Sequence, residues 1–484
     1  MAKTKPVYAF EEADSKQRML LGGKGAGLSE MTRLKLPVPP GFTITTEVCN
    51  KYYENNRKLP KDVMPSVMKN IEKIEKKTGK KWNSTKNPLL VSVRSGAAIS
   101  MPGMMDTILN LGLNEKTVDG LATQTKNPRF AWDSYRRFIQ LFGKVVFGVN
   151  DEKFDHVLES AKTAQKVKDD SELNVQSLKK IVSEYKKICE KHTKRKFPDA
   201  PNEQLGLAIE AVFKSWMGER AIVYREKNNI TKDIANGTAV NVVTMVFGNM
   251  GDDSATGVVF TRNGHNGKKE IEGEYLINAQ GEDVVAGVRT GKNVALLKKD
   301  MPKSHKELSN ACSKLEKHFR EPQDIEFTIE QGKFYLLQTR TAKMSAGALV
   351  KTSVDMVKEK LIDKNKALTR IPAQQLEALL HRTMDESKIK NFKQLAKGIA
   401  ASPGAASGIA VFDVKKAIEL GEAGKKVILI RKETKPEDVP AFFSSEGVLT
   451  SLGGKSSHAA IVSRGMGKPC IVGCAELKID YDKN

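Results

Sequence analysis

The chain has 484 residues, enough for two to four domains that each bury a core. Hydrophobic residues make up 39%, and no run approaches the roughly 18 apolar residues that a membrane helix requires, so the sequence predicts no membrane span. The net charge of +22 suits polyanion binding, but lysines alternate with glutamates at helical spacing and aromatic residues make up only 6%, which indicates solvated helix faces and no nucleic-acid site.

The N-terminal residues and the cysteines predict the cellular setting. No apolar stretch of the kind found in a signal peptide stands at the N-terminus, so we expect a cytoplasmic protein. The five cysteines are scattered and form no disulfide framework or zinc spacing, namely Cys49, Cys189, Cys312, Cys470 and Cys474. We therefore expect reduced thiols and no zinc.

The first 110 residues have a mixed α/β pattern that contains two candidate phosphate contacts. Residues 21–28 place Lys24 among four glycines just before a helical run, which lets backbone N–H groups and one cation approach phosphates. Arg94 ends a predicted strand over residues 89–95, where a guanidinium can make two parallel hydrogen bonds to a phosphate. A structural turn and an exposed strand-end arginine are the alternatives.

Helices and then strands follow. Residues 112–230 are charged and helical in pattern, with an apolar stripe that predicts ordinary core packing and consists of Phe138, Leu141, Phe142 and Val145. From residue 237 to residue 340, β-branched residues alternate with polar ones between turn signals, which is typical of sheet. Residues 324–340 predict a hairpin with its turn at Gln331 and Gly332.

The predicted hairpin carries paired carboxylates. The two-residue period of a strand puts Asp324 and Glu326 on one face, and Gln338 and Arg340 on one face of the partner strand. Two carboxylates suit Mg²⁺ with nucleotide oxygens, and the arginine can neutralise a phosphoryl group in transfer. A salt-bridged solvent face is the alternative. Glu282 follows a glycine in another turn, a pattern too general to decide a role.

His458 stands at the start of a predicted helix near the end of the chain. A helical, charged stretch over residues 344–396 leads into a segment rich in Gly, Ala and Ser, which marks a boundary before a compact α/β module. Two glycines and two serines precede His458, so its imidazole is expected where the helix N-terminus favours an anion. A neutral imidazole is a competent phosphoryl acceptor, whereas a simple helix cap is the alternative.

Together these segments resemble the pyruvate, phosphate dikinase family over nearly the whole chain. The segments that carry the resemblance are residues 22–25, 91–96, 101–113, 260–263, 281–290 and the hairpin. The resemblance implies an α/β (α+β) fold: a two-lobed ATP-grasp domain over 1–343 with a helical insertion at about 112–230, a helical linker over 344–396, and a truncated swivelling phosphohistidine domain over 397–484.

The same resemblance implies a reaction and its residues. ATP and inorganic phosphate would phosphorylate His458, release AMP and pyrophosphate, and pass the phosphoryl group to pyruvate, giving phosphoenolpyruvate, in a barrel domain outside these residues. The residues implied to hold ATP and Mg²⁺ are Lys24, Arg94, Asp324, Glu326, Gln338 and Arg340, with Asp324 and Glu326 as metal ligands. Thr256, Gly257 and Glu282 would line the phosphate end, and the catalytic groups would be His458, Arg94 and Arg340.

Several positions depart from the family pattern. The family usually has Arg, Met, Gln, Gly and Pro at the positions of Leu452, Lys455, Val243, Ala255 and Gly264. Its regulatory threonine corresponds to Ser456, which makes phosphorylation of this serine a hypothesis. A catalytically impaired ATP-binding fragment or split-gene remnant is therefore the alternative function. We expect a monomer because the family dimer contact lies largely outside these residues.

Overall fold

A computed structural model describes residues 5–101, 104–285, 291–378 and 392–481. The chain divides into two compact units, Met1–Val246 and Phe247–Asn484. Residues 102–103 and 286–290, which belong to two of the segments that carry the resemblance, lie outside the described residues, as do 379–391 of the linker. The predicted domain boundaries 1–343, 344–396 and 397–484 stay a prediction.

An antiparallel sheet with strand order β1-β2-β5-β3-β4 forms the centre of the first unit. Its strands are β1 (Val7–Ala9), β2 (Gly41–Ile44), β3 (Val91–Ala97), β4 (Thr107–Leu111) and β5 (Thr238–Thr244). All seven residues of β5 are buried because this strand lies between β2 and β3. The helices Arg18–Arg33, Thr46–Glu54 and Val63–Thr78 complete the N-terminal part.

Helices fill the chain between β4 and β5, which confirms the predicted helical pattern of residues 112–230. They are Glu115–Thr125, Pro128–Val145, Glu152–Gln165, Val175–Thr193, Pro201–Ser215 and Glu219–Lys227, with a short 3-10 helix at Asp170–Glu172. In the predicted stripe, Phe138 and Phe142 are fully buried, whereas Leu141 and Val145 are half-buried. The stripe is therefore core packing, as predicted.

The second unit begins with another antiparallel sheet, of order β10-β9-β6-β7-β8. Its strands are β6 (Ala255–Phe260), β7 (Glu272–Ile277), β8 (Lys292–Asn293), β9 (Gln323–Glu330) and β10 (Lys333–Thr341). The hairpin β9–β10 is confirmed, and its turn residues Gln331 and Gly332 have φ values of 48° and 72°. The helix Pro302–Phe319 packs against this hairpin, and shorter helical segments at Gly281–Val285, Val294–Leu296 and Leu297–Asp300 precede it.

A third sheet carries the histidine module. After the linker helices Ala346–Lys358, Lys364–Thr369 and Ala373–Ala378 come β11 (Ile399–Ser402), β12 (Ile409–Val411), β13 (Val427–Arg431), β14 (Gly447–Thr450) and β15 (Cys470–Val472). β12 to β15 pair in parallel, and β11 pairs antiparallel with β15. Helices Val414–Glu422, Val439–Ser444 and His458–Met466, with a 3-10 helix at Pro436–Asp438, supply the connections. Parallel pairing needs such crossovers, and one of them begins with His458.

The structure also shows the state of the cysteines and the character of the helices, for which the sequence predicted reduced thiols and no membrane span. All five cysteines are free and buried. Within the described ranges, none of the helices has the length and apolar character that a bilayer crossing demands.

Candidate functional site

Lys24 and Arg94 lie on one face of the first sheet. The glycine run falls within the helix Arg18–Arg33, which kinks at Gly22 with φ 68° and ψ 164°, so the predicted loop is a kink inside a helix. A Cβ at Gly22 would lie 1.8 Å from the Gly96 carbonyl oxygen, and only glycine allows this contact. The Lys24 Cβ lies close to Gly96, two residues after Arg94, whose Nε donates to Ser92 Oγ at 3.2 Å.

The remaining predicted residues of the nucleotide site belong to the second unit, where strand register sets two rows across one face of the β6–β10 sheet. Directly paired residues of antiparallel strands share a face. The first row, from β7 to β10, is Glu272, Phe260, Asp324 and Arg340. The second row is Glu274, Val258, Glu326 and Gln338. The register pairs Asp324 with Arg340 and Glu326 with Gln338, which agrees with the prediction that Asp324 and Glu326 share one face and that Gln338 and Arg340 share one face of the partner strand. We call this surface the carboxylate face.

Asp324 and Arg340 form a buried ion pair in the first row. Arg340 Nε donates to Asp324 Oδ2 at 2.6 Å, and the side chains are 22% and 2% exposed. Burial raises the pKa of Asp324, and the Arg340 guanidinium opposes this rise. The second oxygen, Asp324 Oδ1, is buried and has no hydrogen-bond partner among the described residues. A buried acceptor without a donor is costly, so this atom suits a cation.

These carboxylates fit Mg²⁺. Asp324 supplies an unsatisfied oxygen, and Glu326 stands two residues along on the same face and is half-buried. Over the described ranges, no cluster of three or more His, Cys, Asp or Glu side chains is placed to hold a metal. Mg²⁺ commonly takes one or two protein carboxylates and completes its shell with water and nucleotide oxygens, so two carboxylates are sufficient.

Thr256, Gly257 and Glu282 lie around the other end of β6. Thr256 shares the carboxylate face, and its hydroxyl lies 3.2 Å from Thr328 Oγ1. Glu282 is half-buried in the helical segment Gly281–Val285, and a Cβ on the preceding Gly281 would lie 4.0 Å from the Thr256 hydroxyl. Gly257 points to the opposite face, where an added Cβ would come within 2.7 Å of the Phe327 ring. Packing against the Phe327 ring therefore explains why a glycine stands at position 257.

His458 is the first residue of its helix, as predicted, and its ring is enclosed. The residue is 9% exposed, Phe442 packs edge-on at 6.1 Å between centroids, and the Thr434 hydroxyl lies 3.0 Å from Nδ1. When Nδ1–H donates to Thr434, Nε2 carries the lone pair. Nε2 and the neighbouring Ser457 Oγ are buried, and no described residue bonds to either atom. His458 therefore places an Nε2 without a described hydrogen-bond partner at a helix N-terminus.

The buried imidazole predicts a pH dependence of stability. Burial lowers the pKa of His458 from 6.5 to about 4, with the Glu437 carboxylate opposing the shift. Between these values the unfolded chain binds a proton that the folded chain does not, so this histidine costs stability as pH falls from about 6.5 to about 4. We expect the unfolding temperature of His458→Gln to fall less between about pH 7 and about pH 5 than that of the unsubstituted chain. Equal falls by differential scanning calorimetry would contradict the lowered pKa.

The loop before His458 contacts the carboxylate face. Lys455 Nζ pairs with Glu272, the Lys455 N–H donates to Glu274 Oε1 at 3.3 Å, and Ser456 Oγ donates to Glu274 Oε2 at 3.4 Å. Burial raises the pKa of Glu274, and these hydrogen bonds oppose the rise. From the histidine helix, the Arg464 guanidinium lies 5.1 Å from the centre of the Phe260 ring. The predicted regulatory residue Ser456 is therefore buried at this contact.

Sequence reasoning did not assign site roles to Glu272, Glu274, Thr434 or Arg464. The two glutamates repeat the i, i+2 carboxylate spacing of Asp324 and Glu326, so a signal for them was present. No local signal marks Thr434, which precedes His458 by 24 positions.

Two mixed α/β units, with paired carboxylates on a sheet and a buried histidine at a helix N-terminus, define a multi-module α/β protein. Residues 18–310 and 301–361 match the family model described as "Pyruvate phosphate dikinase, AMP/ATP-binding domain". Residues 423–484 match the model described as "PEP-utilising enzyme, mobile domain". The chain belongs to the pyruvate, phosphate dikinase family.

Curated relatives are similar along the whole chain. The chain is 54% identical over 479 residues to the pyruvate, phosphate dikinase of Entamoeba histolytica, covering 99% of this chain and 54% of that protein. It is 49% identical over 477 residues to the pyruvate, phosphate dikinase of Clostridium symbiosum, and the match covers 98% of this chain and 54% of that protein. It is 47% identical over 480 residues to the chloroplastic pyruvate, phosphate dikinase 1 of Arabidopsis thaliana, and the match covers 98% of this chain and 50% of that protein. The chain thus spans about half the length of the curated relatives it matches.

Proposed function

We propose that this chain carries out the nucleotide half of the pyruvate, phosphate dikinase reaction. In this reaction, ATP and inorganic phosphate phosphorylate His458, and AMP and pyrophosphate leave. The observation that carries the proposal is the state of His458: a neutral, enclosed imidazole at the start of a nine-residue helix, with an Nε2 to which no residue in the described part of the chain bonds. Family membership supports the choice of ATP as donor.

The products fix the bonds that change. Nε2 would form its new N–P bond to the β-phosphorus while the bond between the β-phosphorus and the oxygen that bridges it to the α-phosphorus breaks, so AMP leaves with that oxygen. The released pyrophosphate then combines the γ-phosphoryl group with inorganic phosphate. Nδ1 would keep its proton and donate a hydrogen bond to Thr434 Oγ1, so Nε2 carries the lone pair and the ring need not be deprotonated before attack.

The other predicted site residues would bind the nucleotide, its phosphates and Mg²⁺. Lys24 and Arg94 would contact ATP phosphates, and Thr256, Gly257 and Glu282 would line the phosphate end. Asp324 and Glu326 would hold Mg²⁺, which when bound screens the charge of the phosphates. Gln338 would contact the nucleotide, and Arg340, fixed by Asp324, would stabilise negative charge that develops during transfer.

Incubation with ATP labelled at the β-phosphate, Mg²⁺ and inorganic phosphate tests the proposal. We expect the chain to acquire acid-labile label in stoichiometric amount, with AMP and pyrophosphate released in equal measure. Binding of ATP without any incorporation of label would overturn the proposal. That result would instead select the second candidate, a catalytically impaired ATP-binding fragment, which the exposed Leu452 at a position that is usually arginine in the family favours.

Further properties of the whole protein follow from the same proposal. Pyruvate would receive the phosphoryl group in a barrel that these residues do not include, because the relatives extend well beyond the matched part. We also propose a cytoplasmic monomer that binds neither nucleic acid nor membrane, and phosphorylation of Ser456 as a form of control.

A further inference from the structure

Lys455 links the histidine module to the carboxylate face through an ion pair. Its Nζ contacts Glu272 Oε1, and the two side chains are 33% and 12% exposed. The second oxygen of Glu272 accepts the Gly264 N–H at 3.1 Å, which fixes the carboxylate. Because the pair is largely shielded from water and one partner is already oriented, it is stronger than an ordinary surface ion pair.

The surrounding groups fit this contact closely. A Cβ at Gly454 would lie 2.1 Å from Glu274 Oε2, so a larger residue here would have to displace this carboxylate. Arg464 Nη2 donates to the Lys455 carbonyl oxygen at 3.0 Å and thereby supports the loop from the histidine helix. Two positive side chains thus approach a face that carries four carboxylates in its two rows.

We propose that Lys455 is a positioning residue: its ion pair with Glu272 holds the loop that carries His458 on the carboxylate face. The inference rests on the proposed function in one respect, because the held position is the one in which His458 receives its phosphoryl group. Methionine, which the family resemblance implies at this position, could not form the pair.

Substitution of Lys455 gives a specific kinetic pattern. Lys455→Met is expected to slow labelling of His458 about fivefold without changing ATP affinity, and Lys455→Glu to slow it further because two carboxylates then face each other. Lys455→Arg, and the double exchange Lys455→Glu with Glu272→Lys, are expected to restore most of the rate. The unfolding temperature of Lys455→Met should stay close to that of the unsubstituted chain, whereas the loss of a residue needed only for folding would lower it.

A zero-length carbodiimide measures the contact without any catalysis. The reagent joins an amine to a carboxylate in direct contact, so we expect peptide mass spectrometry to find Lys455 linked to Glu272, with a yield that falls as salt is added. Lys455→Met and Glu272→Gln should lose the cross-link. Lys425→Met, which removes an exposed charge from the same module, should keep it.

The two measurements separate the possible failures. Labelling without the cross-link, or a labelling rate that Lys455→Met and Lys455→Glu leave unchanged, would overturn the role of Lys455. A cross-link in a chain that never becomes labelled would support the contact and count against the proposed function instead.

Discussion

Replacement of His458 with asparagine is expected to abolish incorporation of label from β-labelled ATP, a loss of about hundredfold or more. Asparagine places an amide nitrogen near the position of Nδ1 and so can keep the hydrogen bond to Thr434, but it has no atom at the position of Nε2. The enclosing contact with Phe442 loses only ring area. The variant therefore removes the acceptor atom with little other change, and scintillation counting of the acid-labile label measures the result.

A second histidine provides the matched control. His305 lies half-buried in the helix Pro302–Phe319 of the same unit, and His305→Asn should label as the unsubstituted chain does. Retained labelling in His458→Asn would show that another residue accepts the phosphoryl group. Retained ATP binding in that variant would show that the loss concerns phosphoryl transfer and not nucleotide binding.

The sequence predicted those parts of the site that depend on local geometry. The hairpin follows from alternation and from Gln331 and Gly332 at the turn. Asp324 lies opposite Arg340 only because the register shifts between Leu336 and Gln338, and the sequence did not predict that shift. The helix that begins at His458 likewise follows from adjacent glycines and serines. Each of these features depends on residues within about one strand or turn of each other.

Contacts between distant segments could not be predicted in the same way. Glu272 joins the row of Asp324 only because β6 pairs with both β7 and β9, and no local pattern specifies that order of strands. The enclosure of His458 depends on Thr434, which comes from another connection of the third sheet.

The structural role of a glycine also depends on neighbours that are distant in sequence. Gly22 and Gly257 look alike in sequence, yet the first permits a kink and the second makes room for the Phe327 ring. A sequence motif marks the need for a small residue but does not say which neighbour requires it.

Asp324→Asn is expected to reduce labelling about hundredfold and to weaken the Mg²⁺ dependence of ATP binding. The amide can still accept a hydrogen bond from Arg340, but the negative charge is lost and the buried position of Oδ1 no longer offers a charged ligand. Higher Mg²⁺ concentrations should recover part of the rate, because weaker coordination raises the concentration needed for occupancy. Titration of the labelling rate with Mg²⁺ measures both effects.

The alternative role for Asp324 is that of a counter-ion that fixes Arg340, and the Mg²⁺ titration separates the two roles. If the carboxylate served only Arg340, Asp324→Asn would lower the rate at every Mg²⁺ concentration by the same factor. Asp300→Asn is the control, since this carboxylate of the same unit pairs instead with Lys292 and Tyr275. Because Asp324 Oδ1 has no donor within the part of the chain described, whereas Oδ2 already serves Arg340, we expect a shift of the Mg²⁺ midpoint to higher concentration.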